Sequence, residues 1–198
     1  MNRWVTMTDG SRVLYIGADN YPYPIPLASN SSSRWYFNTS AGKDEILARR
    51  IGKNELLAID AVSAMANAEQ LYFKTGHDGK PRHLYTEKVL STPGKQDGLY
   101  WEVPADQPSS PLGRLDEFAQ DVVISTEPGA APIFDGYSFR IIPEGKSEFT
   151  IMATPVTYGD SGIMTIALTK GGKIHQKDLG PNSLSVASYN PNDGWMPA

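Results

Sequence analysis

The sequence contains no cysteine. That excludes disulfides, thiol nucleophiles and thiolate metal sites. It also lacks any block of positive charge: Lys+Arg 18 is outweighed by Asp+Glu 22, and the cations are scattered along the chain. Nothing in that pattern would neutralise a run of phosphates, so nucleic acid is not an expected partner. No apolar run approaches the ~20 residues that span a bilayer, and no transmembrane segment is expected. The first residues, MNRWVTMTDGS, carry no apolar stretch, so the chain as given shows no signal peptide. Histidine is scarce too. The candidate bases are His77, His83 and His175 alone.

Turn formers are abundant instead, with Gly 18 and Pro 15 in a chain that is 40% hydrophobic and 20% charged. A length of 198 residues fits one domain with a small extra lobe and can bury a core. Residues 3–17 read as a β-hairpin around Asp9-Gly10. In Tyr21-Pro22-Tyr23-Pro24-Ile25-Pro26-Leu27 the prolines remove donors and fix φ, so neither helix nor central strand fits. The expectation is an extended edge segment that packs Tyr21 and Tyr23 on the core, with a role in docking as the alternative. Another strand follows at 34–38.

From about residue 41 to residue 74 the apolar period becomes helical: Leu47, Ile51, Ala58, Val62, Met65 and Tyr72 share one face. Thr39 or Ser40 is the expected cap, Asp44 and Glu45 the expected first-turn acids, and Gly52 a possible break. A short second helix is expected near Leu84–Leu90 and another over 114–121. Strands are then expected at 137–142, 149–154, 162–168 and 173–177, with turns at Glu144-Gly145-Lys146 and Lys170-Gly171-Gly172. The fold class is α+β: one long helix on a C-terminal antiparallel meander, behind a small N-terminal β segment over 1–40. Residues 41–198 would form the core domain.

The string Tyr158-Gly159-Asp160-Ser161-Gly162 poses the sharpest chemical question. GDSG surrounds the nucleophile of trypsin-like proteases, and Ser161, Asp160 and His175 are the candidate catalytic residues. Ile163 stands where that motif carries a second glycine, and a triad needs a base, an orienting acid and an oxyanion hole. A turn, with Asp160 or Ser161 bonding nearby N–H groups, is the preferred reading. His77, Asp78 and His83 are the nearest approach to a metal cluster, but they fall short of the four ligands of a closed zinc site. No metal or other cofactor is expected. Tyr21, Tyr23, Tyr100 and Trp101 are the candidate binding-surface residues.

Several strings in order along the chain resemble the bacterial domain of unknown function 2950 family. They are YPYPIPL at 21–27, LARRIGKNEL at 47–56, LSTPGKQDGLYW at 90–101, GYSFRI at 136–141, YGDSGIMT at 158–165, KDLGP at 177–181 and the terminal NPNDGWMP. The resemblance implies an exported protein of the periplasm or cell envelope. It also implies that 1–40 is the remnant of a larger lobe, since family members carry a further N-terminal segment. The C-terminal part is also similar to the globular heads of type IV pilins and pseudopilins. Together these imply a non-catalytic envelope domain that acts through protein or surface contacts. The alternatives are a hydrolase using Ser161 or a carboxylate pair, and a module that binds a small ligand in an aromatic cleft.

Overall fold

Asp9-Gly10 closes the first hairpin. Gly10 sits at φ 82, and the Asp9 carboxylate accepts hydrogen bonds from the backbone N–H and hydroxyl of Ser11. The flanking strands are β1 (Arg3–Thr6) and β2 (Arg12–Ile16), with Trp4 opposite Leu14 and Thr6 opposite Arg12. The structure, a computed structural model, describes residues 2–78, 83–104, 106–125, 130–144, 148–185 and 188–198. Two compact units divide it, residues 1–50 and 51–198.

The first unit holds a mixed-length antiparallel sheet in the order β1-β2-β4-β5, with β3 also on β2. The proline-rich segment supplies β3 (Tyr21–Pro22) and β4 (Leu27–Ser29), and β5 is Trp35–Phe37. The Asn30 side chain turns the chain from β4 to β5 by accepting from the N–H groups of Ser32 and Arg34. The segment is extended at the sheet margin, as its prolines require. Its two tyrosines part company, however. Tyr23 is half-buried and meets the Phe37 ring edge-on at 6.3 Å, whereas Tyr21 is exposed beneath the Arg49 guanidinium. Position along the sheet separates them: Tyr21 lies opposite Ile16 at the end of β2, whereas the Tyr23 N–H bonds to the Leu14 carbonyl further along the same strand.

The long helix, α1 (Thr39–Thr75), begins slightly before the expected start. Its cap is Asn38, whose side-chain oxygen accepts from the Ala41 N–H, rather than Thr39 or Ser40. With that start, Asp44 and Glu45 fall in the second turn and no acid lies in the first. The helix also runs unbroken through Gly52. Immediately after it, Lys53, Asn54 and Glu55 are tied to Gln120, Ser161 and the Ile163–Met164 backbone.

In the second unit the buried stripe of α1 (Ala58, Ala61, Val62, Met65, Ala68 and Tyr72) packs on a meander of seven strands, ordered β12-β11-β10-β9-β8-β7-β6. The four long members match the expected positions: β8 (Tyr137–Pro143), β9 (Phe149–Pro155), β10 (Met164–Thr169) and β11 (Ile174–Asp178). Every residue of β9 is buried, so this strand forms the floor of the core. The sequence pattern did not reveal the two-residue strands β6 (Val122–Val123), β7 (Ile133–Phe134) and β12 (Met196–Pro197). The Gly145-Lys146 turn expected between β8 and β9 lies outside the described residues, although Glu144 N–H donates to the Glu148 carbonyl across that hairpin.

Two expectations are corrected here. Leu84–Leu90 forms no helix, because Leu90 bridges Tyr100 and the Leu99 and Tyr100 N–H groups donate to Lys88 and Val89. Pairing with a distant segment takes the backbone groups a helix would have used. Over 114–121 only one turn is helical, α2 (Leu115–Phe118).

Candidate functional site

Tyr158–Gly162 forms the turn between β9 and β10. The Gly159 N–H donates to the Gly162 carbonyl, and those of Asp160 and Ser161 donate to Thr157. The Ser161 hydroxyl accepts from the Thr157 N–H at 3.0 Å and donates to the Thr157 carbonyl at 3.2 Å. Its own carbonyl accepts from the Asn54 amide at 2.9 Å. The hydroxyl thus closes the turn, as the N–H-bonding reading of this string expected. His175, on β11, is directed to a different partner: its Nδ1 lies 2.7 Å from the Tyr189 hydroxyl, with the rings stacked. The structure does not bring Ser161 and His175 together.

The glycine of the same string has a separate cause. A Cβ on Gly162 would overlap the hydroxyl end of Tyr137, and one on Gly136 would lie 2.9 Å from the Ser161 Cβ. Gly136-Tyr137 and Ser161-Gly162 are therefore mated surfaces. The Tyr137 ring is fully buried, and its hydroxyl donates to the Met164 carbonyl at 3.0 Å. Burial, aided by the nearby Glu55 charge, pushes the Tyr137 phenol up from its ordinary value.

The chemically richer place is the C-terminal end of α1. Gly76, at φ 71, stops the helix in the left-handed conformation that side chains avoid. The chain then presents His77 to an aromatic wall, with its ring centroid 4.6 Å from Tyr72 and 5.0 Å from Trp101. His77 Nε2 lies 2.6 Å from the Thr75 hydroxyl, which donates to the Leu71 carbonyl. That hydroxyl therefore accepts from the Nε2–H, while Nδ1 lies 3.4 Å from the Gln96 Oε1, two acceptors that form no hydrogen bond in this tautomer. Asp78 accepts from the Gln96 N–H at 2.6 Å. His77, Gln96 and Trp101 line an open cleft of about 560 Å³, together with Val103 and Gln107–Gly113. That volume suits a small ligand.

The candidate metal residues are thus dispersed. His77 and Asp78 are committed to Thr75 and Gln96, while the His83 ring stands edge-on to Phe73 at 5.1 Å. Among the described residues no three carboxylate or imidazole side chains converge in a way that would hold a metal. Of the aromatic pair, Trp101 lines the cleft, whereas Tyr100 uses its backbone to pair with Val89. Successive residues of an extended segment point in opposite directions. Tyr21 and Tyr23 lie in the first unit.

Two features were not legible from sequence. A larger groove, about 930 Å³, runs between Glu87–Pro93 and the Phe139–Ile142 stretch of β8. Beside it Asp97 accepts from Lys88 Nζ at 2.7 Å and from both the N–H and hydroxyl of Thr92. Burial opposes the Asp97 charge, but those hydrogen bonds win and hold its carboxyl down at about 2. The second feature is Glu69, fully buried in the core face of α1. Its Oε2 accepts from the Thr86 N–H, while Oε1 has no partner among the described residues. Desolvation pushes this carboxyl up to about 8.

A family model described as "Protein of unknown function (DUF2950)" matches residues 1–198. No curated protein and no solved structure matches the chain.

Proposed function

The chain belongs to this family, and from that premise and the geometry above we propose that it is a non-catalytic domain of the bacterial cell envelope that works by binding. The His77–Trp101 cleft is its recognition site. One observation carries the reading: the cleft has an aromatic wall whose polar groups are already fixed. His77 is held by its bond to Thr75 and by its ring contacts with Tyr72 and Trp101, and Asp78 anchors the Gln96 backbone N–H. Preorganised groups of that kind lose little freedom when a ligand arrives. An indole face beside amide and imidazole groups suits a ring-shaped ligand that stacks and hydrogen-bonds at its edge. The order of helix and meander, on which the likeness to pilin heads rests, supports contact rather than turnover. Placement in the envelope rests on the family resemblance.

Saturation-transfer NMR against a panel of ring-containing fragments tests the site. Wild type is expected to bind a subset that Trp101→Ala loses while keeping its circular dichroism spectrum, although its melting temperature falls because Trp101 also packs against the core. An identical hit list for both proteins would remove the cleft from consideration. The hydrolase alternative has its own test in fluorophosphonate labelling. Wild type is expected to remain unlabelled; robust labelling abolished by Ser161→Ala would overturn the non-catalytic reading. In the same variant, loss of the bond to the Thr157 N–H should cost about 1 kcal/mol of stability.

A further inference from the structure

One face of the sheet in the first unit keeps several large aromatic side chains exposed, and its composition is unusual. Opposed residues of an antiparallel pair project to the same side, and alternate residues along a strand do too. The registers Trp4↔Leu14, Arg12↔Leu27, Leu27↔Phe37, Ser29↔Trp35 and Ile16↔Tyr21 therefore define one face. Its aromatic members are among the most exposed large side chains in the chain: Trp4 48%, Trp35 44%, Phe37 53% and Tyr21 52%. Scattered exposed apolar residues need no explanation, but a contiguous aromatic face marks an interaction surface.

Charge indicates the occupant. The strands β1 to β5 carry no acidic residue, and their charged residues are Arg3 and Arg12 alone. Arg12 lies on the aromatic face with its guanidinium 4.3 Å from the centre of the Trp35 ring. Arg49, which also pairs with Glu45, lies 5.3 Å from the centre of the Tyr21 ring. Arginine laid over exposed Trp and Tyr, with no carboxylate on the strands, matches a boundary between apolar chains and anionic headgroups. There the rings sit at headgroup depth and the guanidinium reaches phosphate.

We propose that this face docks on an anionic phospholipid surface, with Trp4, Trp35, Phe37 and Tyr21 entering the headgroup layer and Arg12 meeting phosphate. The contact is peripheral, since the face belongs to a short sheet and no helix among the described residues is long and apolar enough to cross a membrane. It is distinct from the His77–Trp101 cleft, so either site can fail without the other.

Flotation of the full chain with vesicles is the test. Wild type is expected to float with phosphatidylcholine vesicles containing phosphatidylglycerol, and at least tenfold less with pure phosphatidylcholine or in high salt. Trp35→Ala/Phe37→Ala should lose at least tenfold of the binding and Arg12→Gln should weaken it, each with an unchanged circular dichroism spectrum. Both substitutions fall at exposed strand positions; should the double variant misfold, quenching of wild-type tryptophan emission by brominated phosphatidylglycerol replaces it, and absence of quenching overturns the proposal. So do equal flotation with both vesicle types and undiminished binding by the variant. A dimer in sedimentation analysis that the double variant abolishes, without lipid binding, would assign the face to a second copy.

Discussion

Gly162 shows at the scale of one residue how a suggestive string is explained by packing. Its hydrogen faces the hydroxyl end of the buried Tyr137, and the pair locks the β9–β10 turn against the start of β8. Gly162→Ala is expected to destabilise the protein by about 1–3 kcal/mol, the usual cost of forcing extra volume into a filled core. Urea denaturation measures it, and an unchanged midpoint would mean that Tyr137 can move aside. Ser161 belongs to the same assembly through the Thr157 backbone and the Asn54 amide. The strings GYSFRI and YGDSG are thus two halves of one contact, which neither reveals alone.

Among the elements, α1 carries the most weight. Its tight stripe of Ala58, Ala61 and Ala68 lets it lie close on the meander, and Glu55 fastens it by accepting the N–H groups of Ile163 and Met164 with one oxygen, each at 3.0 Å. Gly52 has no such duty: a Cβ there would meet nothing within 4 Å, and the helix is continuous around it. Gly52→Ala should therefore stabilise the protein by up to about 1 kcal/mol through helix propensity and unfolded-state entropy. A thermal melt would read this as a rise, and a fall would reveal a close approach at that position. Leu84–Leu90 shows the opposite outcome, in which a segment expected to be helical gives its backbone to Leu99 and Tyr100. Propensity is a weak prior when a partner segment competes for the same hydrogen bonds.

Across the whole molecule, global stability should depend on the buried carboxyl of Glu69. Its pKa is raised from 4.5 to about 8 in the folded protein by desolvation. Below pH 4.5 the folded and unfolded forms both hold the proton, and the contribution is fully present. As pH rises toward 8 only the unfolded chain releases it, so stability falls, by on the order of a few kcal/mol, and then levels off. Glu69→Gln should flatten much of that slope when urea midpoints are compared at pH 5 and pH 8.5. Equal slopes in both proteins would show that the proton is not held. The sequence by itself determined the α+β class, the first hairpin, the span of α1 to within two or three residues, and the four long strands of the meander. Those features follow from period, turn residues and backbone limits acting over a few neighbours. It also named His77 and Trp101, though not as companions. Tertiary structure alone decided that the His77 ring packs against both Tyr72 and Trp101 and that Ser161 bonds to Thr157 while His175 turns to Tyr189. It also decided that the two-residue strands β6, β7 and β12 exist. Each of these depends on pairing between segments distant in the chain, where a residue's partner is set by register and burial and no local pattern records it.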